Sequence, residues 1–118
     1  MAGWFELHKG NKGKFHFVLK APNDQVILTS EQYESKDSAQ TGIASVRTNC
    51  AKDDRYERKQ ATDGRAFFNL KAVNHQIIGT SQMYATVQAR DAGIASVMTN
   101  GITDIVKDEE KRARARPA

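Results

Sequence analysis

The chain carries one cysteine, two prolines and one tryptophan among 118 residues. A single thiol, Cys50, cannot close an internal disulfide. That excludes a disulfide-stapled scaffold and fits a reducing, cytoplasmic compartment. No apolar run approaches the roughly 20 residues that a membrane-spanning helix needs. The start, Met1-Ala2-Gly3-Trp4-Phe5-Glu6, has no basic segment followed by an apolar one, so a secretory signal is not expected. A glycine-rich loop able to cradle phosphate is missing as well. The body also lacks net charge. The formal net charge is +4, and Lys111, Arg112, Arg114 and Arg116 account for all of it. A charge-balanced body argues against a nucleic-acid-binding fold surface and confines that possibility to the basic C-terminal tail.

What the sequence does contain is a repeat. Gly42-Ile43-Ala44-Ser45-Val46-Arg47-Thr48-Asn49 returns 51 residues later as Gly93-Ile94-Ala95-Ser96-Val97-Met98-Thr99-Asn100, changed only at Arg47/Met98. At that fixed offset Glu6, Gly13, Phe17, Leu19, Lys20, Ala21, Asn23, Gln25, Ile27, Thr29, Ser30 and Tyr33 also recur, with no gap. Two units are too few for a solenoid. They suit one pseudo-two-fold domain of residues 1–107, with repeats at about 4–55 and 56–107 and a charged tail over 108–118. A chain of this size buries one modest core.

Alternation predicts a strand over Trp4–Lys9 and another over Lys14–Ala21, joined at Asn11-Lys12-Gly13. Glycine takes the left-handed backbone that ends a three-residue hairpin loop, and Gly64 repeats it. This loop sets Phe5 opposite Leu19, Leu7 opposite Phe17 and His8 opposite His16, which gathers the large apolar residues on one face. Asp24 and His75 are expected in the left-handed position of the next turn, where Asp, Asn and His are tolerated. A third strand, Gln25–Ser30, places Ile27 inward, as does Ile78 in the repeat. Ser35 and Thr86 are N-cap residues for helices over Lys36–Asn49 and Val87–Asn100. Ala39, Gly42, Ile43 and Val46 make one stripe. A mid-helix glycine on that stripe implies close helix-to-sheet approach. Asn49 and Asn100 are expected as C-caps. A strand from about Asp54 to Gln60 closes the first unit and opens the second. Strands over Arg65–Ala72, Gln76–Ser81 and Thr103–Lys107 complete the second unit.

Trp4-Phe5-Glu6-Leu7, Gly13-Lys14-Phe15, Leu19-Lys20-Ala21-Pro22-Asn23, Thr29-Ser30-Glu31 with Tyr33, and the doubled Gly-Ile-Ala-Ser-Val resemble the YegP-like family of small bacterial proteins. The resemblance covers about residues 3–107. It implies an α+β fold of two β-β-β-α-β repeats sharing one antiparallel sheet, with exchanged C-terminal strands and both helices on one face. A monomer is then sufficient. The family carries no established activity, so the resemblance brings no catalytic or binding residues.

The residues themselves point to no catalytic centre. His8 and His16 face one another on the outer sheet face, but zinc needs three or four protein ligands, and the repeat has Lys59 and Phe67 there. No metal or cofactor is expected. Cys50 follows a helix C-terminus, which disfavours a thiolate, and reads as a packing residue. Ser30/Ser81 and Ser45/Ser96 lack an accompanying His–acid pair. The segment Lys12–Val18 resembles an RNA-binding strand signature only superficially, because Phe15 and Phe17 point under the helices rather than to solvent. The best candidate surface is the outer sheet face, with Trp4, His8, His16, Lys59 and Phe67. The expected function is a non-enzymatic binding or structural module. The alternative is a nucleic-acid-associated accessory protein that uses Lys111, Arg112, Arg114 and Arg116.

Overall fold

The computed structural model describes residues 3–10 and 12–109. It is an α+β fold built from two β-β-β-α units and a closing strand. The elements are β1 (Trp4–Lys9), β2 (Phe15–Lys20), β3 (Val26–Ser30), α1 (Lys36–Asn49), β4 (Tyr56–Gln60), β5 (Ala66–Lys71), β6 (Ile77–Thr80), α2 (Val87–Asn100) and β7 (Val106–Asp108). All seven strands form one sheet in the order β4-β5-β6-β3-β2-β1-β7. The two halves meet where β3 pairs with β6, Thr29 opposite Thr80. Each helix delivers the next strand to the opposite half, so β4 pairs with β5 and β7 pairs with β1. The β1–β7 pairing is parallel, so the sheet is mixed where an antiparallel one was expected: the α2 crossover returns the chain to β1 in the same direction.

The hairpins follow from backbone chemistry. Gly13 and Gly64 have φ of 75° and 90°, and Asp24 and His75 have φ of 72° and 69°. These are the positions where left-handed backbone was expected. The β1–β2 register sets Phe5, Leu7 and His8 opposite Leu19, Phe17 and His16. Phe5, Leu7, Phe17 and Leu19 are completely buried. Ser35 Oγ accepts from the Ser38 amide and Thr86 Oγ1 from the Ala89 amide, so each helix begins at its hydroxyl cap.

Three further expectations need correction. Asn49 and Asn100 are the last helical residues rather than the caps, which are Cys50 and Gly101. The asparagines are buried and act as ties: Nδ2 of each donates back one turn, to the Ser45 and Ser96 carbonyls. Their Oδ1 atoms accept from Arg55 Nε and from the Gly3 amide, binding each helix end to the start of a strand. Second, residues Asp53–Arg55 form a 3-10 turn, and β4 starts only at Tyr56. Third, Thr103 and Ile105 are spent on turn bonds, to Asn100 O and Thr103 Oγ1, so the last strand is Val106–Asp108. Ile27 lies inward as expected, and a bulge at Leu19/Lys20 pairs Leu19 with Leu28 and leaves Ile27 as the extra residue. Both Ile27 and Leu28 are thereby buried. The repeat bulges likewise at Leu70/Lys71.

The core is one continuous cluster drawn from both halves. Gly42 and Gly93 notch the helices for tyrosines: a Cβ on Gly42 would collide with the Tyr33 ring and come within 2.9 Å of Phe17, and one on Gly93 would collide with Tyr84. Each tyrosine is fixed by backbone bridges, Tyr33 to Phe15 and Tyr84 to Ala66. The repeated serines have a structural use. Ser30 Oγ accepts from the Phe17 amide at 2.9 Å and donates to Glu31 O at 2.8 Å, and Ser81 does the same with Phe68 and Gln82. The buried Phe17 and Phe68 amides, inside β2 and β5, are thus satisfied.

Candidate functional site

Strand alternation puts Trp4, Glu6 and His8 of β1 and His16, Val18 and Lys20 of β2 on the outer face, away from the core residues between them. There they form a connected polar cluster. The Trp4 indole Nε1 donates to Glu6 Oε2 at 2.9 Å. Lys20 Nζ lies 3.2 Å from the same oxygen and 3.0 Å from Asp24. His8 Nε2 lies 3.2 Å from Glu6 Oε1. Burial alone would raise the Glu6 carboxyl, but the Trp4 indole, Lys20 and His8 outweigh it and hold the group below its ordinary value.

His8 and His16 stack, with ring centroids 5.3 Å apart and planes 18° from parallel. Burial, and secondarily the neighbouring His8, push the His16 imidazole below its ordinary pKa. Its Nδ1 is buried without a partner. Among the described residues no group of three or more His, Cys, Asp or Glu could hold a metal ion. The histidine pair offers stacked aromatic rings and, among the described residues, no third ligand for a metal.

Trp4 is half-buried rather than openly exposed. Its ring is covered by Lys107 from β7, whose Nζ sits 4.1 Å from the ring centroid, a cation–π contact. Lys107 was absent from the candidate residues because 103 positions separate it from Trp4; only the strand exchange brings it there, and no local pattern signals that.

Lys59 and Phe67 lie directly opposite each other on β4 and β5. They occupy the positions equivalent to His8 and His16, but at the far side of the sheet. The candidate face is thus two patches related by the internal two-fold. Around the second, Glu57 accepts from Asn69 Nδ2 and Lys71 Nζ, each at 3.0 Å, and these bonds hold its carboxyl below the usual range. Asn69 in turn accepts from Thr80 Oγ1 at 2.7 Å. The glutamate–lysine pair is common to both patches; the tryptophan and the stacked histidines belong to the first alone. Lys111, Arg112, Arg114 and Arg116 lie outside the described residues.

Cys50 is fully buried, and burial raises its thiol pKa. Tyr56 Oη donates to the Cys50 carbonyl at 2.6 Å, and burial raises its pKa strongly too. Neither is poised to react. No helix among the described residues is long and apolar enough to cross a membrane.

The profile of DUF1508, a domain of unknown function, matches the chain twice, at residues 11–57 and 61–108. The chain is 62% identical over 108 residues to UPF0339 protein YegP of Escherichia coli K12, covering 92% of this chain and 98% of that protein. It is 56% identical to a UPF0339 protein of Shewanella oneidensis, again over 108 residues, covering 92% and 98%. The fold matches the solution NMR structure of the E. coli protein, described as of unknown function, with a TM-score of 0.88 over 92% of this chain and 93% of that one. The Shewanella structure matches with a TM-score of 0.87 over 92% of each chain.

Proposed function

The chain belongs to the DUF1508 family of UPF0339 proteins, in tandem-repeat form, and from that premise we propose that it is a non-enzymatic binding module acting through the outer sheet face at its β1–β2 end. The observation that carries this reading is the Trp4–Glu6–His8–His16–Lys20 cluster. It is an ordered set of aromatic and charged groups on the sheet face opposite the helices, tied together by hydrogen bonds and a ring stack. The cluster lies outside the core, which closes on the other face of the sheet. Aromatic rings with a polar rim favour binding of other macromolecules. The second unit, with Lys59 and Phe67 in place of the histidines, offers a related but weaker patch.

The test is a pull-down with immobilised protein in four forms: unaltered, Trp4→Ala, Phe67→Ala, and lacking residues 110–118. The expected result is a bound species lost with Trp4→Ala and retained without the tail. Binding that ignores both substitutions, disappears with the tail and falls steeply with salt would replace this reading by the nucleic-acid one.

A further inference from the structure

We propose that β7 is a detachable strap, and that its place beside β1 is a docking slot for an extended peptide of a partner protein with the pattern aliphatic–basic–acidic. The slot is built by residues that the repeat does not share. Trp4 stacks under Lys107, Lys36 Nζ pairs with Asp108 Oδ2 at 2.9 Å, and Arg47 Nε donates to Thr103 O at 2.7 Å. The equivalent positions in the second unit are Arg55, Val87 and Met98. Arg47/Met98 is the one difference within the repeated octapeptide, and it falls on this contact. The equivalent amide is taken by its own turn: the Tyr56 amide donates to Asp53 O, where the Phe5 amide donates to Ile105 O of the incoming segment. Among the described residues β4 thus ends the sheet, whereas β1 carries the side chains that seat a strand from elsewhere, by the strand-addition mode.

The present occupant is weakly anchored. β7 has three residues, and none belongs to the core cluster. Ile102, Ile105 and Val106 are 63%, 51% and 39% exposed. Beyond a three-residue backbone ladder and the Phe5–Ile105 and Arg47–Thr103 bonds, it is held by partly exposed charge contacts, which are individually weak, and short edge elements open locally without global unfolding. Val106, Lys107 and Asp108 pair with Phe5, Glu6 and Leu7, so β7 itself displays the pattern a competitor must present. The idea deepens the outer-face reading, because Trp4 belongs to both, and it rests on that reading for its use. Its test uses one defined peptide, so the two fail separately.

The experiment is amide hydrogen exchange on the full chain, followed by titration with a synthetic peptide of residues 102–109. The Phe5 amide should exchange by local opening, well ahead of the β2 amides, and Asp108→Ala should speed it about fivefold. Lys36→Met serves if that variant fails to fold. Added to the weakened variant, the peptide should shift the Trp4 indole and Phe5 resonances and slow Phe5 exchange again. A peptide with its Lys107 and Asp108 equivalents interchanged should do neither. Phe5 exchange at the global unfolding rate in every form overturns the strap. An opened strap with no response to the peptide overturns the slot. Opening that scales with protein concentration assigns the slot to a second copy and overturns the partner peptide.

Discussion

Leu28 and Gly79 are equivalent residues of the two repeats, and they lie against each other where β3 meets β6. Leu28 is completely buried, and a Cβ built on Gly79 would stand 2.9 Å from Leu28 Cγ. Two leucines would collide at this point and two glycines would leave a hole. One unit supplies the bulk and the other the space. Cys50 and Gly101 do the same at the helix ends, where a Cβ on Gly101 would meet Cys50 Sγ at 2.8 Å. Leu28→Ala should cost about 2–5 kcal/mol and Gly79→Ala about 1–3 kcal/mol in urea unfolding. Exchanging the pair, Leu28→Gly with Gly79→Leu, should be less harmful than the two single changes summed, with a coupling of about 0.5–3 kcal/mol. Strict additivity would refute the complementary packing.

Alanine in place of a mid-helix glycine normally stabilises by about 1 kcal/mol. Gly42→Ala should reverse that sign, because the new methyl meets the Tyr33 ring and Phe17, and overpacking of this kind costs about 1–3 kcal/mol. Thermal melts of Gly42→Ala and Gly93→Ala against the parent decide it. A raised melting temperature in either variant would show that the notch is not filled as described.

His16 gives the protein a pH dependence of definite sign. Its imidazole has a lower pKa in the folded chain than in the unfolded one, from burial and then His8. As pH falls below about 6.5 the unfolded chain takes up this proton first, so stability is full above that value and declines as pH falls through the folded pKa. Glu6 and Glu57, also lowered, act in the same direction below about 4.5. Unfolding free energies measured across this range should slope downward with acid. His16→Phe, which installs the residue found at Phe67, should flatten the upper limb and leave the lower one. Profiles that stay parallel as pH falls below about 6.5 would count against this account.

The Cys50 thiol should be inert in the folded protein, being fully buried with a raised pKa. Its reaction with an aromatic disulfide reagent should run more than about 1000-fold slower than in denaturant, tracking the unfolded fraction. Rapid labelling under native conditions would contradict the closed helix-end contact.

Local chemistry was legible in the sequence, and contacts across the two halves were not. Ser35, Thr86, Gly13 and Gly64 act on neighbours within a few residues, so both helices begin and end at the expected residues and the β1–β2 register is as read. The bulge that buries Leu28 beside Ile27 depends on the facing strand, which alternation within one strand does not report. The position of Asn49 alone suggests a cap; its partner, Arg55, is set by the turn that follows. For the candidate site, Trp4, Glu6, His8, His16 and Lys20 could be placed on one face by period-2 reasoning. That Lys107 would lie over Trp4, or that Lys59 and Phe67 would form a distant second patch, required the strand order.

The pairing of Phe5 with Val106 makes nearly the whole chain one loop. The first strand therefore waits for a neighbour from the end of the second repeat, and the sheet border stays unfinished until both repeats have been made. Such long-range closure slows folding and prolongs exposure to aggregation, so the second repeat, rather than the first, completes the sheet.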